Sequence, residues 1–250
     1  MKHSLKKLKK FSLQATDGEK GKVKNFLFDD ETWVIRYLEA DLGNFFNEKR
    51  VLIPREHLGV PIWNEKHFPV KLTVQQIENS PGLDFELPVS RQYETQLLEH
   101  YQLQPYWPEA IAGYTGRESL LGNGYPFSVP RYPEVEDPQG THLRSFNEIT
   151  GYYIKAADDQ FGHIEDLIID DTTWQILFAI IDTKNLSPWS KEVILPIELL
   201  EEISFLNKEV TISMRKEDIK NSPEYDSSLD WSDNFEGEVY GFYGSRVRRP

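Results

Sequence analysis

The chain repeats itself, and this constrains its fold more than any other feature. Setting residues 17–41 against residues 158–182, at a constant offset of 141, gives the identical pairs Asp17/Asp158, Gly21/Gly162, Asp29/Asp170, Asp30/Asp171, Thr32/Thr173, Trp33/Trp174, Ile35/Ile176 and Asp41/Asp182. Eight matches in 25 ungapped positions, across residue types this mixed, indicate a duplication. Upstream, Leu5, Leu8, Phe11 and Leu13 fall on Phe146, Ile149, Tyr152 and Ile154. After one inserted residue, Val51-Leu52-Ile53-Pro54 meets Val193-Ile194-Leu195-Pro196, and Asn79-Ser80-Pro81 meets Asn221-Ser222-Pro223. The expected organisation is two copies of one module, residues 1–101 and 143–250, packed as a pseudo-twofold pair around a connector, residues 102–142.

Each copy reads as strand after strand. Asp17-Gly18 is a turn dipeptide, and residues 22–29 and 163–170 are rich in β-branched or aromatic side chains. The acidic segments Asp29-Asp30-Glu31 and Asp170-Asp171-Thr172 make hairpin turns. Beyond them Trp33, Ile35 and Tyr37, matched by Trp174, Ile176 and Phe178, alternate as in a strand with one buried face. Residues 51–53 and 193–195 are short apolar strands ended by proline, and residues 68–72 and 210–212 are further strand candidates. Short helices follow over 74–79 and 215–221, each stopped by Ser-Pro. The fold class is therefore mainly β, with two tandem small β-barrels, which leave few exposed edges.

The strings Ala15-Thr-Asp-Gly-Glu-Lys-Gly-Lys-Val-Lys-Asn-Phe-Leu-Phe-Asp-Asp-Glu-Thr-Trp33 and Ala156-Ala-Asp-Asp-Gln-Phe-Gly-His-Ile-Glu-Asp-Leu-Ile-Ile-Asp-Asp-Thr-Thr-Trp174 resemble the PRC-barrel family signature. The Val-Leu-Ile-Pro54 strand and the Asn-Ser-Pro-Glu-Tyr225 segment are similar to that family's ending. The family includes the cytoplasmic domain of the photosynthetic reaction-centre H subunit and a domain of a ribosome maturation factor. What the resemblance implies is a small six-stranded barrel that docks on a larger assembly. The first copy departs from the second at Glu39, where the second keeps Ile180.

Charge and composition narrow the function classes. The chain has 28 basic and 41 acidic side chains, a net charge of −13, and eight of the basic residues lie at the ends of the chain: Lys2, Lys6, Lys7, Lys9, Lys10, Arg246, Arg248 and Arg249. The interior is thus more acidic than the total, the wrong sign for a phosphate backbone, so nucleic acid is not an expected partner. With no cysteine, disulfides and thiolate metal sites are excluded, which fits a reducing, cytoplasmic setting. The basic start has no apolar stretch of the signal-peptide kind behind it. It admits peripheral contact with an anionic membrane through its lysines, although Leu5, Leu8 and Phe11 have counterparts in the second copy and read as core. A homodimer is also open to a chain of this design.

Candidate functional residues are few. Asp29, Asp30 and Asp170, Asp171, with Asp41 and Asp182 one strand later, offer carboxylates to a cation, but no Asp-x-Asp-x-Asp-Gly loop is present. Aspartate also caps turns through its own backbone, which is the commoner role. Trp33 and Trp174 are either partner anchors or barrel core. In the connector, Pro105, Pro108, Pro126, Pro130, Pro133 and Pro138 favour extended backbone, while Tyr106 and Trp107 lead an aromatic series that suits a strap lying against the modules. His3, His57, His67, His100, His142 and His163 form no His-x-x-x-His or His-Glu-x-x-His pattern. No nucleophile elbow or phosphate loop occurs, so no catalytic, cofactor or metal residue is assigned. The expected function is a non-catalytic binding or adaptor protein that docks on a protein partner. The alternative is an enzyme or cation-binding protein using carboxylates and connector tyrosines at the cleft between modules.

Overall fold

The computed structural model describes residues 1–43, 49–83, 89–107, 142–183, 191–226, 231 and 233–244. In the first copy the order is β1 (Lys2–Ser4), α1 (Leu5–Leu8), β2 (Ser12–Ala15), β3 (Gly18–Asp29), β4 (Val34–Asp41), β5 (Arg50–Pro54), β6 (His67–Pro69), α2 (Val74–Glu78) and α3 (Arg91–His100). The second copy follows with β7 (Leu143–Ser145), α4 (Phe146–Ile149), β8 (Tyr153–Lys155), β9 (Gln160–Asp170), β10 (Ile176–Asp182), β11 (Glu192–Pro196), β12 (Leu200–Ser204), β13 (Glu209–Ile212), α5 (Lys216–Lys220) and α6 (Asp233–Tyr243). The mainly-β class expected from the sequence stands. One sheet runs β5-β4-β3-β2-β6 and the other β11-β10-β9-β8-β13-β12, each with a parallel pair, β2 to β6 and β8 to β13. Among the described residues no ladder joins β5 to β6 or β11 to β12, but a bridge between Leu58 and Val70 ties the segment after β5 to the segment after β6.

The two copies exchange their first strands. β1 pairs with β9 of the second copy, Lys2 opposite Asp170 and Ser4 opposite Ile168. β7 pairs with β3 of the first, Leu143 opposite Asp29 and Ser145 opposite Leu27. At the centre Val34 bridges Gln175. Ile35 N donates to Trp174 O at 2.9 Å, and Ile176 N donates to Trp33 O at 2.8 Å. All of these positions are related by the repeat offset, so a pseudo-twofold axis passes between Val34 and Gln175. One continuous apolar core spans both copies, from Leu5 and Phe28 to Phe178 and Tyr243.

Each exchanged strand ends in a serine that caps a one-turn helix. Ser4 Oγ accepts from Lys7 N, and Ser145 Oγ accepts from Glu148 N. The receiving residue differs between the copies. Buried Asp166 accepts from the Ser4 hydroxyl, from Lys6 N at 3.0 Å and from Leu167 N at 2.8 Å. Its counterpart Asn25 accepts from Asn147 N at 3.0 Å and donates to Ser145 Oγ at 2.8 Å. The amide of Asn25 also donates to buried Glu39 at 3.1 Å, and Arg50 lies 3.3 Å from the other oxygen of that carboxylate. This network accounts for a charged residue standing where the second copy has Ile180.

Two helices, α3 and α6, follow the Ser-Pro stops. Their inner stripes are Tyr93, Leu97, Tyr101 and Phe235, Val239, Tyr243, spaced by four as a helix face requires. The alternation expected over Trp33–Tyr37 holds only for Ile35 and Tyr37. Both tryptophans instead close the hairpin turn with positive φ, 55° at Trp33 and 60° at Trp174. The ladder also slips by one residue at Arg36 and at Leu177.

Candidate functional site

The acidic turns hold the fold together from within. Asp29 Oδ1 accepts from Thr32 N and Thr32 Oγ1, both at 2.8 Å, and from Glu31 N at 3.2 Å. Asp170 Oδ1 accepts from Thr172 N at 2.9 Å and Thr173 N at 3.0 Å. Burial acts to raise both carboxyl pKa values, but these donors, with the Arg36 guanidinium beside Asp29 and the positive charges near Asp170, outweigh it and hold both below the ordinary value. Asp30 and Asp171 face the exchanged strands. Asp30 N donates to His142 O at 2.8 Å, and its carboxylate meets His142 Nδ1 at 3.0 Å and Arg144 Nε at 2.8 Å. Asp171 N donates to Met1 O at 2.9 Å, and its carboxylate accepts from His3 Nε2 at 2.8 Å. Burial lowers the His3 pKa, with the Asp171 contact opposing it, so the ring is neutral at pH 7 and this contact is a hydrogen bond.

The tryptophans serve the seam between the copies. Trp33 stacks on Phe28 at 5.3 Å, and Trp174 reaches across to Phe68 of the first copy at 5.8 Å. Trp174 is buried and Trp33 partly so. Asp41 accepts from Gly43 N at 2.9 Å, while Asp182 is buried at the end of β10. The four carboxylates of the turns, Asp41 and Asp182 therefore do not converge on one point.

The start of the connector is docked on the first copy. Glu94 in α3 is fully buried and accepts from Tyr37 OH at 3.0 Å, Tyr106 OH at 2.8 Å and Arg91 at 3.0 Å. Arg36 lies over the Tyr106 ring at 4.0 Å, Arg91 over the Trp107 ring at 4.3 Å, and Trp107 packs on Leu98. Burial raises the Glu94 pKa against the pull of Arg91, and raises both tyrosine pKa values further with the help of Glu94. Of the connector expected over residues 102–142, residues 102–107 carry these contacts through Tyr106 and Trp107. The rest, residues 108–141, lies outside the described residues.

A groove of about 800 Å³ lies beside the exchanged strand β1. It is lined by Trp63 from the first copy, by Tyr225, Trp231 and Phe235 from the second, and by His3 and Ile168. His3 lies 4.7 Å from the Trp63 ring, and Lys2 sits 5.8 Å from the Trp231 ring. Glu224, Asp226 and Glu238 also line it, as do Lys2 and Lys7. Burial and the neighbouring carboxylates push the Tyr225 phenol up to about 12, so it stays a donor. The groove exists because the copies exchange strands, since β1 supplies one side of it and belongs in sequence to the other module.

Residues 2–67 match the family model of the PRC-barrel domain. They form a PRC-barrel domain. The match marks the first copy as a module of a binding kind. The family unit begins at β1, the strand given away to the other sheet, and runs to the start of β6. The second copy has the same strand order as this PRC-barrel domain, with β12 added. No curated protein matches the chain. None of the helices among the described residues is long and apolar enough to cross a membrane.

Sequence reasoning missed the groove residues Trp63, Tyr225, Trp231 and Phe235. The signal available was weak: at the repeat offset Trp231 falls on Val89, whereas Trp63 falls on another aromatic, Phe205, and Phe235 on Tyr93.

Proposed function

We propose that the chain is a non-catalytic binding or adaptor protein, a tandem of two PRC-barrel modules that holds a protein partner in the groove beside β1. The observation that carries this reading is the groove itself, with four aromatic rings and three carboxylates gathered in about 800 Å³. Aromatic side chains together with charged ones are the composition that supplies binding energy and register at protein interfaces. By contrast, the conspicuous residues of the repeat, Asp29, Asp30, Asp170, Asp171, Trp33 and Trp174, make contacts within the chain. A cytoplasmic setting agrees with a chain that has no cysteine.

The enzyme alternative asks for a carboxylate with connector tyrosines, and Glu94 with Tyr37 and Tyr106 is such a set. Glu94 is fully buried, and its two oxygens accept from three donors. That arrangement supports a docking role for the connector rather than turnover.

The test is site-specific photocrosslinking in the producing cells. A photoreactive residue replaces Trp231 or Glu238 in the groove, and Leu206, which is 94% exposed, serves as the control position. A discrete protein adduct from the groove positions and none from position 206 supports the proposal. Equal labelling from all three, or none from the groove, defeats it.

A further inference from the structure

The second copy carries a ligand set that the first has replaced. His163 and Glu165 stand two apart on β9, and Asp182 lies opposite His163 on β10. One ligand atom from each of the three lies within 4.8 Å of the others, with His163 Nε2 and Glu165 Oε2 at 3.5 Å. The ladder slips by one between Ile164 and Asp166, leaving Glu165 as the extra residue of a bulge, a device that re-aims a side chain. Gly162, at φ +52°, brings β9 so close to β10 that a Cβ there would sit 2.7 Å from Asp182 O. Asp182 is 3% exposed, while His163 and Glu165 are partly exposed and give a path from solvent.

The first copy shows what a protein-supplied charge looks like at the same place. Lys22 pairs with Asp41 across β3 and β4, and Lys24 is the bulged residue. These positions thus hold two lysines and one aspartate. In the second copy an imidazole and a second carboxylate replace both lysines, and the buried aspartate is kept. Lys6 from α1 engages Glu165 through Oε1 and leaves Oε2 toward His163.

We infer that His163, Glu165 and Asp182 bind one divalent first-row transition ion, with zinc as the fitting case. One nitrogen and two carboxylate oxygens suit zinc, whereas calcium asks for six to eight oxygens. Ligand atoms around an ion with bonds of about 2.0–2.1 Å lie at most about 4 Å apart, so a small side-chain rotation closes the set. Three protein ligands leave the remaining position to water. The site ties β9 to β10 and is independent of the partner reading above.

The test is calorimetric titration of the chelator-treated full chain with zinc chloride and, separately, calcium chloride. One equivalent of zinc and none of calcium is expected. The paired replacement His163→Lys and Glu165→Lys installs the residues that the first copy carries in the same ladder, so the fold is expected to survive it, checked by an unchanged circular dichroism spectrum. That variant is expected to give a flat zinc isotherm. The reciprocal pair Lys22→His and Lys24→Glu is expected to raise the stoichiometry from one to two. No saturable zinc binding, or a stoichiometry that neither exchange alters, overturns the inference. If the first variant fails to fold, the reciprocal pair decides alone.

Discussion

Replacing Asp166 by asparagine should stabilise the protein at neutral pH and leave it nearly unchanged in mild acid. Burial, against the donors Ser4, Lys6 N and Leu167 N, raises this carboxyl from 3.8 to about 6. A raised folded pKa means that the folded chain binds the proton more tightly than the unfolded chain. Stability therefore falls as pH rises from about 4 through about 6, and the loss is complete above that range. At 1.36 kcal/mol per pKa unit the ionised carboxyl costs up to about 3 kcal/mol at pH 7. An amide avoids that cost and keeps the serine and helix contacts, as Asn25 does at the symmetric position, while the N–H that Asn25 gives to Glu39 has Ile180 opposite it here. Allowing for weaker neutral hydrogen bonds, a gain of about 1–2 kcal/mol at pH 7.5 is expected, which is about 2–8 °C in Tm for a chain of this size. Calorimetric melts of both proteins at pH 4.5, 6.0 and 7.5 measure it, and other titrating groups cancel in the difference. A variant that is destabilised more at pH 7.5 than at pH 4.5 would refute the reasoning.

Further outcomes follow from the same contacts. Gly162→Ala places a side chain at φ +52° and 2.7 Å from Asp182 O, so a loss of about 2–4 kcal/mol in denaturant unfolding is expected. Glu94→Ala leaves Tyr37, Tyr106 and Arg91 without their acceptor, and should cost about 3–5 kcal/mol and expose Trp107 to a fluorescence quencher. Burial lowers the His3 pKa from 6.5, so stability is lost as pH falls below about 6.5; His3→Gln should show a smaller drop between pH 7 and pH 5 than the parent.

Much of this molecule was legible because the repeat acted as an internal comparison. Gly21 and Gly162 match in sequence because both need positive φ and both sit where a Cβ would strike the facing strand. Asp29 and Asp170 match because each caps a hairpin with a tryptophan in the left-handed region. The strand exchange was not legible. A strand of pattern Lys-His-Ser or Leu-Arg-Ser says that it pairs with a long apolar strand, but two equivalent long strands exist and nothing local selects between them. His163 was passed over because its ligand partners lie at i+2 and across a ladder rather than in a helical spacing. The helices α3 and α6 were missed because their apolar stripes are only three residues each.

The central claim is that the two copies form one folding unit by exchanging their first strands. Expressing residues 1–101 and 143–250 as separate chains tests it directly. Together they are expected to form a 1:1 complex with a single cooperative melt. Each alone is expected to stay unfolded or to pair with itself, because each sheet needs a strand from outside its own half. A stable monomer of either half, melting cooperatively by itself, would contradict the account.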